Sequence, residues 1–217
     1  MAPEKSASPR GRRVAAIAVV LVALAIAAFA GGRLTAPVAS SPSTTSAEAG
    51  FARDMQTHHA QAVELSFIVR DLTTDADVRL LAFDIATTQG QQEGQMFGWL
   101  SVWNLPKAPA EPSMTWMARP ALTGTGHEHD PALIAAGDAM PGLATPEQIT
   151  ELKSLTGVEA EKYFLTLMIA HHKGGVEMAE AIIDRSTDPI VVDFARSIVA
   201  TQSGEITTME QMLAERG

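Results

Sequence analysis

Two adjacent histidine pairs, His58-His59 and His171-His172, hold four of the six histidines in this 217-residue chain. A methionine precedes each pair by one helical turn: Phe51-Ala-Arg-Asp-Met55-Gln-Thr-His58-His59 and Phe164-Leu-Thr-Leu-Met168-Ile-Ala-His171-His172. Imidazole nitrogen and thioether sulfur together suit a soft transition metal. A thioether beside imidazole selects Cu(I) over Mg, Ca or Mn, whereas zinc would use the imidazoles and gain little from methionine. The candidate ligands are therefore Met55, His58, His59, Met168, His171 and His172, with copper the expected ion and iron and nickel still open. The plainer alternative is a hydrogen-bonded polar core, since buried imidazoles satisfied by glutamine need no metal. Crowding four imidazoles at one level weighs against it, because each must find a partner once removed from water.

The elements that must position these residues are legible in the same repeat. An offset of 113 residues, without a gap, also aligns Thr74-Asp75 with Thr187-Asp188, Ile85 with Ile198, Thr88-Gln89 with Thr201-Gln202, Met96 with Met209 and Leu100 with Leu213. Phe, Met and the second His fall at i, i+4 and i+8, one face of an α-helix. Turns are expected at Thr73-Thr74-Asp75 and Ser186-Thr187-Asp188-Pro189, where Thr or Asp caps a following helix and Pro suits its first turn. That second helix carries Gln89, Gln92, Met96 and Leu100, or Gln202, Glu205, Met209 and Leu213, again on one face. In an antiparallel hairpin His58 and Gln89 both stand about 20 Å from the turn. Gln89 and Gln202, with Glu205, are thus the expected partners that orient the imidazoles. Neither hairpin can bury its apolar stripe alone, so an all-α four-helix bundle of two repeated hairpins about a pseudo-twofold axis is expected. One shared metal site and one site per hairpin both fit this arrangement. Met96, Met209 and Met212 are expected as core fillers, and Glu64 and Glu177 fall off the stripe.

The flanks bound the function. There is no cysteine, which excludes thiolate sites and disulfides. Residues Val14 to Ala30 form an uninterrupted apolar helix-forming run after Arg10, Arg12 and Arg13. At 1.5 Å per residue it spans about 25 Å, so residues 1–33 are expected to be a signal peptide or a signal anchor in the plasma membrane; both place the domain outside the cytoplasm. A Ser/Thr/Pro-rich linker over 34–47 leads to a domain at 48–217, divided into repeat one (49–103), an insertion (104–144) and repeat two (145–217). Residues 1–33 hold five of the 16 basic residues and one of the 25 acidic ones, so the remainder carries 11 against 24. That balance argues against nucleic acid or anionic lipid as partner. The insertion contains Met114-Thr-Trp116-Met117, expected to cover the bundle, then His127-Glu128-His129-Asp130 and Met140-Pro141-Gly142-Leu143. His127, His129 and Met140 are accessory ligand candidates, although His127-Glu128-His129-Asp130 reads first as a solvated polar turn. Thr145-Pro146-Glu147-Gln148 is a capped helix start.

On these motifs the chain resembles the ferritin-like domain-of-unknown-function family numbered 305, from about Ala49 to Leu213. The family pattern is a repeated Phe-x3-Met-x2-His-His followed by Gln-x2-Glu-x3-Met, often with Met-Pro-Gly-Met before the second copy. Here Leu143 replaces the second Met of that segment, and Gln92 stands where the first copy usually has Glu. The resemblance implies a bacterial, exported, helical protein, and copper binding or tolerance of the kind associated with some members. The expectation is coordination rather than turnover: buffering, tolerance or delivery of copper outside the cytoplasm. A metal-free interaction module with a His/Gln core is the alternative. A ferritin-like di-metal oxidase is a second, but such sites use inward carboxylates with Glu-x-x-His, a motif this chain lacks.

Overall fold

The computed structural model describes residues 9–35, 41–122 and 140–217. Among the described residues the chain forms six α-helices, one 3₁₀ turn and no strand. It divides between Ser41 and Pro42 into two units. The first contains helix α1 (Pro9–Thr35), whose described apolar side chains between Val14 and Phe29 are exposed. Among the described residues no helix is long and apolar enough to cross a membrane. The expected anchor is therefore not supported. Its apolar run stops at Gly31-Gly32-Arg33, and about 25 Å of helix falls short of a hydrocarbon core of about 30 Å.

The second unit is built from two hairpins. Helices α2 (Ala47–Leu72) and α3 (Ala76–Val102) form the first; α5 (Gly157–Ile183) and α6 (Pro189–Glu215) form the second, after a short α4 (Pro146–Ser154). Helices α2, α3, α4 and α6 begin where the sequence supplies a side-chain cap, whereas Thr156 before α5 makes no such bond. Ser46 accepts from Ala49 N, Asp75 from Asp77 N and Val78 N, and Asp188 from Ile190 N and Val191 N, while Pro189 occupies the first turn of α6. Thr145 and Gln148 close a reciprocal capping box on α4. Such caps each contribute about 1 kcal/mol. The hairpins meet through α2 and α5. Their turns repeat one bond in both directions: Thr73 Oγ1 donates to Glu161 Oε1 at 2.5 Å, and Ser186 Oγ donates to Glu48 Oε1 at 2.7 Å. Both donors and both acceptors are related by the sequence offset, so the pseudo-twofold is present in the contacts themselves.

The core is split. One apolar cluster gathers Phe51, Met55, Met96, Leu100, Met178, Ile182 and Ile198; the other gathers Leu65, Val69, Ile85, Phe164, Met168 and Met209. Along α2 and α5 the histidine pairs fall between the two clusters, and along α3 and α6 so do Gln89 and Gln202. A polar layer thus interrupts the apolar interior at its middle.

The insertion packs against the first cluster. The 3₁₀ turn Thr115–Ala118 buries Trp116 and Met117. Trp116 meets the Phe51 ring edge-on at 5.7 Å and lies so close to Gly50 that a Cβ there would sit 2.6 Å from it. Buried Asp54 accepts from Met114 N at 2.6 Å and Trp116 Nε1 at 2.9 Å, while Arg53 binds the carbonyls of Thr44 and Pro106. Met114 and Met117 are cover for the bundle, as expected. His127 and His129 lie outside the described residues.

Candidate metal centre

All four paired histidines are fully buried, at 0% exposure. Helical spacing turns both members of each pair inward: His58 and His171, from the two meeting helices, stack with ring centroids 3.8 Å apart and planes 35° apart. His59 and His172 stand to either side, at 6.2 and 6.1 Å from their neighbours. Each ring has one nitrogen engaged. His58 Nε2 donates to Pro141 O at 3.1 Å and His171 Nε2 to His58 O at 2.8 Å. His59 Nε2 meets Gln92 Oε1 and His172 Nε2 meets Glu205 Oε2, both at 2.8 Å. A backbone carbonyl or a carboxylate only accepts, so it fixes the proton of His58, His171 and His172 on Nε2 and leaves their Nδ1 as a lone pair. All four Nδ1 atoms are buried with no hydrogen-bond partner.

Desolvation keeps His58, His59 and His171 neutral. Burial holds His58 down to about 4, the nearby His172 lowering it further against the opposing bond to Pro141 O. Burial and then His58 hold His59 down to about 3, and burial, followed by His58 and His172, holds His171 well below its ordinary value. Neutral imidazole is the form that ligates metal.

A strap closes the layer. Met140, buried, begins Met140-Pro141-Gly142-Leu143, which lies on α5 where the second repeat carries Gly174-Gly175. A Cβ on Gly174 would sit 1.9 Å from Pro141 O, and one on Gly142, whose φ is +74°, 2.1 Å from Ala170 O. At the position matching Gly174 the first repeat has Gln61, whose amide clamps Ala144 by both its N–H and its carbonyl, at 2.7 and 2.9 Å. Gly175 admits Gln202, with room for no Cβ: one would lie 2.3 Å from Gln202 Oε1.

The structure thus brings His58 and His171 together and flanks them with His59 and His172. Met55 and Met168 are buried on opposite sides, in different apolar clusters, and Met140 shares the cluster of Met55. Among the described residues no group of three or more His, Asp or Glu side chains is gathered closely enough to hold a metal ion. Gln89 and Gln202 lie in the layer but make no hydrogen bond to the rings; both amides are buried without partners. The ring partners are Gln92 and Glu205, one turn further along α3 and α6. Cα rise from the turn puts Gln89 and Gln202 level with the histidines, but side-chain reach decides the partner. Gln92, Gln61 and the Pro141 carbonyl are missed by sequence reasoning. The mid-helix Gly174-Gly175 pair was the available signal for close backbone approach.

A family model, "Domain of unknown function (DUF305)", matches residues 48–213. A DUF305 protein of Streptomyces coelicolor, named as a candidate secreted protein, has a crystal structure with 47% identity, covering 81% of this chain and 96% of that one at a TM-score of 0.70. CopM in its Cu(I)-bound form shares the fold at 20% identity and a TM-score of 0.53, over 76% of this chain and 94% of that one. An uncharacterized protein of Acanthamoeba polyphaga mimivirus is 36% identical over 56 residues; the match spans 26% of this chain and 37% of that protein.

Proposed function

The chain belongs to the DUF305 family, and we propose that its histidine layer binds copper, preferring Cu(I), as an exported protein that buffers or delivers the metal. One observation carries this reading: four buried imidazoles each present a partnerless Nδ1 while Nε2 is engaged by an acceptor. Ligating histidines have this arrangement, since an outer acceptor fixes the tautomer and raises the basicity of the other nitrogen. In a metal-free core those Nδ1 atoms would each cost about 1–3 kcal/mol. The donor chemistry fits a soft ion, with Met55 and Met168 contributing thioethers one helical turn from the pairs and Met140 in the cluster of Met55. Copper, when bound, would supply a soft acceptor for imidazole and thioether. The chain's own part is to keep His58, His59 and His171 neutral, hold the orientation of all four rings and exclude water. Gln89 and Gln202, buried in the same layer, are proposed to settle against the bound ion's ligands; Gln92 and Glu205 orient the rings.

Likeness to a copper-bound CopM structure supports the reading. Export is supported by the description of the Streptomyces protein, and the N-terminal apolar helix is proposed to act as its signal. Coordination rather than turnover is proposed because, among the described residues, Glu205 is the one carboxylate bonded to a ring of the layer, too little for a carboxylate di-metal oxidase. The test is a titration of the full chain in detergent with Cu(I) against a competing chelator, beside a variant with His58, His59, His171 and His172 changed to alanine. Tight binding lost in a variant that keeps its helical circular dichroism is the expected result. Unchanged binding would remove the metal from this layer and leave a hydrogen-bonded polar core.

A further inference from the structure

The two halves of the histidine layer are matched in geometry and unmatched in charge. His59 and His172 each reach an acceptor at 2.8 Å across their own hairpin, at positions related by the repeat. Gln92 is neutral, and its amide accepts with one end and donates with the other, so it positions His59 without imposing a tautomer. Glu205, when ionised, only accepts. It holds the proton of His172 on Nε2, makes Nδ1 the stronger base and places a negative charge one imidazole away from any cation bound there. The Glu205 side chain is 19% exposed, so its charge is only partly screened. In a dry interior a cation without a nearby counter-charge is costly to bury. The second ring of each half differs in the same sense. His171 is held by the helical backbone, at His58 O, whereas His58 is held by the strap, at Pro141 O.

We propose that the layer contains two unequal seats, and that a soft monovalent cation fills the second-repeat half first, at Nδ1 of His171 and His172 with Glu205 as positioning residue. The first-repeat half, His58 and His59 backed by Gln92 and the strap, fills later and more weakly. This rests on the metal-binding reading above and assigns an order within it.

The full chain in detergent, labelled with ¹⁵N-histidine, is titrated with Ag(I) while the imidazole nitrogens are followed by long-range ¹H–¹⁵N spectra, with affinity measured in parallel by chelator competition. The first equivalent is expected to move Nδ1 of His171 and His172 and leave His59 unmoved. Glu205→Gln preserves volume and hydrogen bond and is expected to weaken the first seat by about 10–100-fold and abolish the order; Gln92→Glu is expected to bring the two halves together. In the unloaded chain, His172 is expected as the single Nε2–H tautomer, and as a mixture in Glu205→Gln. If all four rings respond to the first equivalent, if His58 and His59 respond first, or if Glu205→Gln binds in the same order and with the same affinity as the unsubstituted chain, the inference fails while metal binding stands. If no ring responds, metal binding itself fails with it.

Discussion

Gly174 and Gly204 are both mid-helix glycines, and they should respond oppositely to the same substitution. Beside Gly174, Pro141 O would lie 1.9 Å from a new Cβ, whereas nothing lies within 4 Å of one at Gly204. Gly174→Ala must push out the strap and is expected to cost about 1–3 kcal/mol. Gly204→Ala only removes backbone freedom from the unfolded chain and should stabilise by about 0.5–1 kcal/mol. Urea denaturation of both variants checks the pair, and equal effects would contradict the close contact. The histidines give a second prediction at this scale. His58 and His59 are held down to about 4 and about 3 by burial, so below pH 6.5 the unfolded chain takes up protons that the folded chain refuses. Stability of the metal-free protein should therefore fall as pH drops from 6.5 towards 3, and in the His58→Gln/His59→Gln variant that loss should be shallower. Melting curves across this range test it. Residue identities of the layer were legible in sequence because Phe, Met and His repeat with helical period. Gln92 departs from the family's Glu, yet its amide reaches His59 at the same distance at which Glu205 reaches His172.

Among the elements, the 3₁₀ turn depends on a single buried carboxylate. Asp54 binds both Met114 N and Trp116 Nε1, so Asp54→Ala would leave two buried donors unpaired. A loss of about 1–3 kcal/mol is expected, with faster hydrogen exchange at Met114 and a red shift of Trp116 emission; neither should change in Asp193→Ala, whose carboxylate lies exposed on α6. The helices and turns followed from caps and period, and Asp75 and Asp188 begin their helices where the repeat places them. The docking of the insertion did not follow. Arg53 and Asp54 look like ordinary solvent-facing charges until Pro106, Thr44 and Trp116 fold back over them, contacts between residues up to 62 positions apart that no local pattern encodes.

For the whole molecule, a polar layer between two apolar clusters makes stability conditional on what satisfies the layer. Binding to the folded state alone adds stability by mass action, about 2.7 kcal/mol at a ligand concentration 100 times Kd. Cu(I) is expected to raise the melting temperature, a chelator to reverse the rise, and Met55→Leu/Met168→Leu to reduce it while leaving the metal-free melt nearly unchanged. Identical melts with and without metal would refute the copper reading.

The strap has one further consequence, which concerns symmetry. Its backbone lies on α5 at Gly174, while on α2 the matching residue, Gln61, holds its far end at Ala144. A single asymmetric peptide laid across a pseudo-twofold axis cannot treat both sides alike. Two identical hairpins meeting as separate chains would bring two such peptides to one place, or none. Joining the repeats in one chain with one strap is what allows the halves to carry different residues at equivalent positions, Gly against Gln on the inner helices and Glu against Gln on the outer ones. The inequality of the two halves is thus built into the connectivity of the chain.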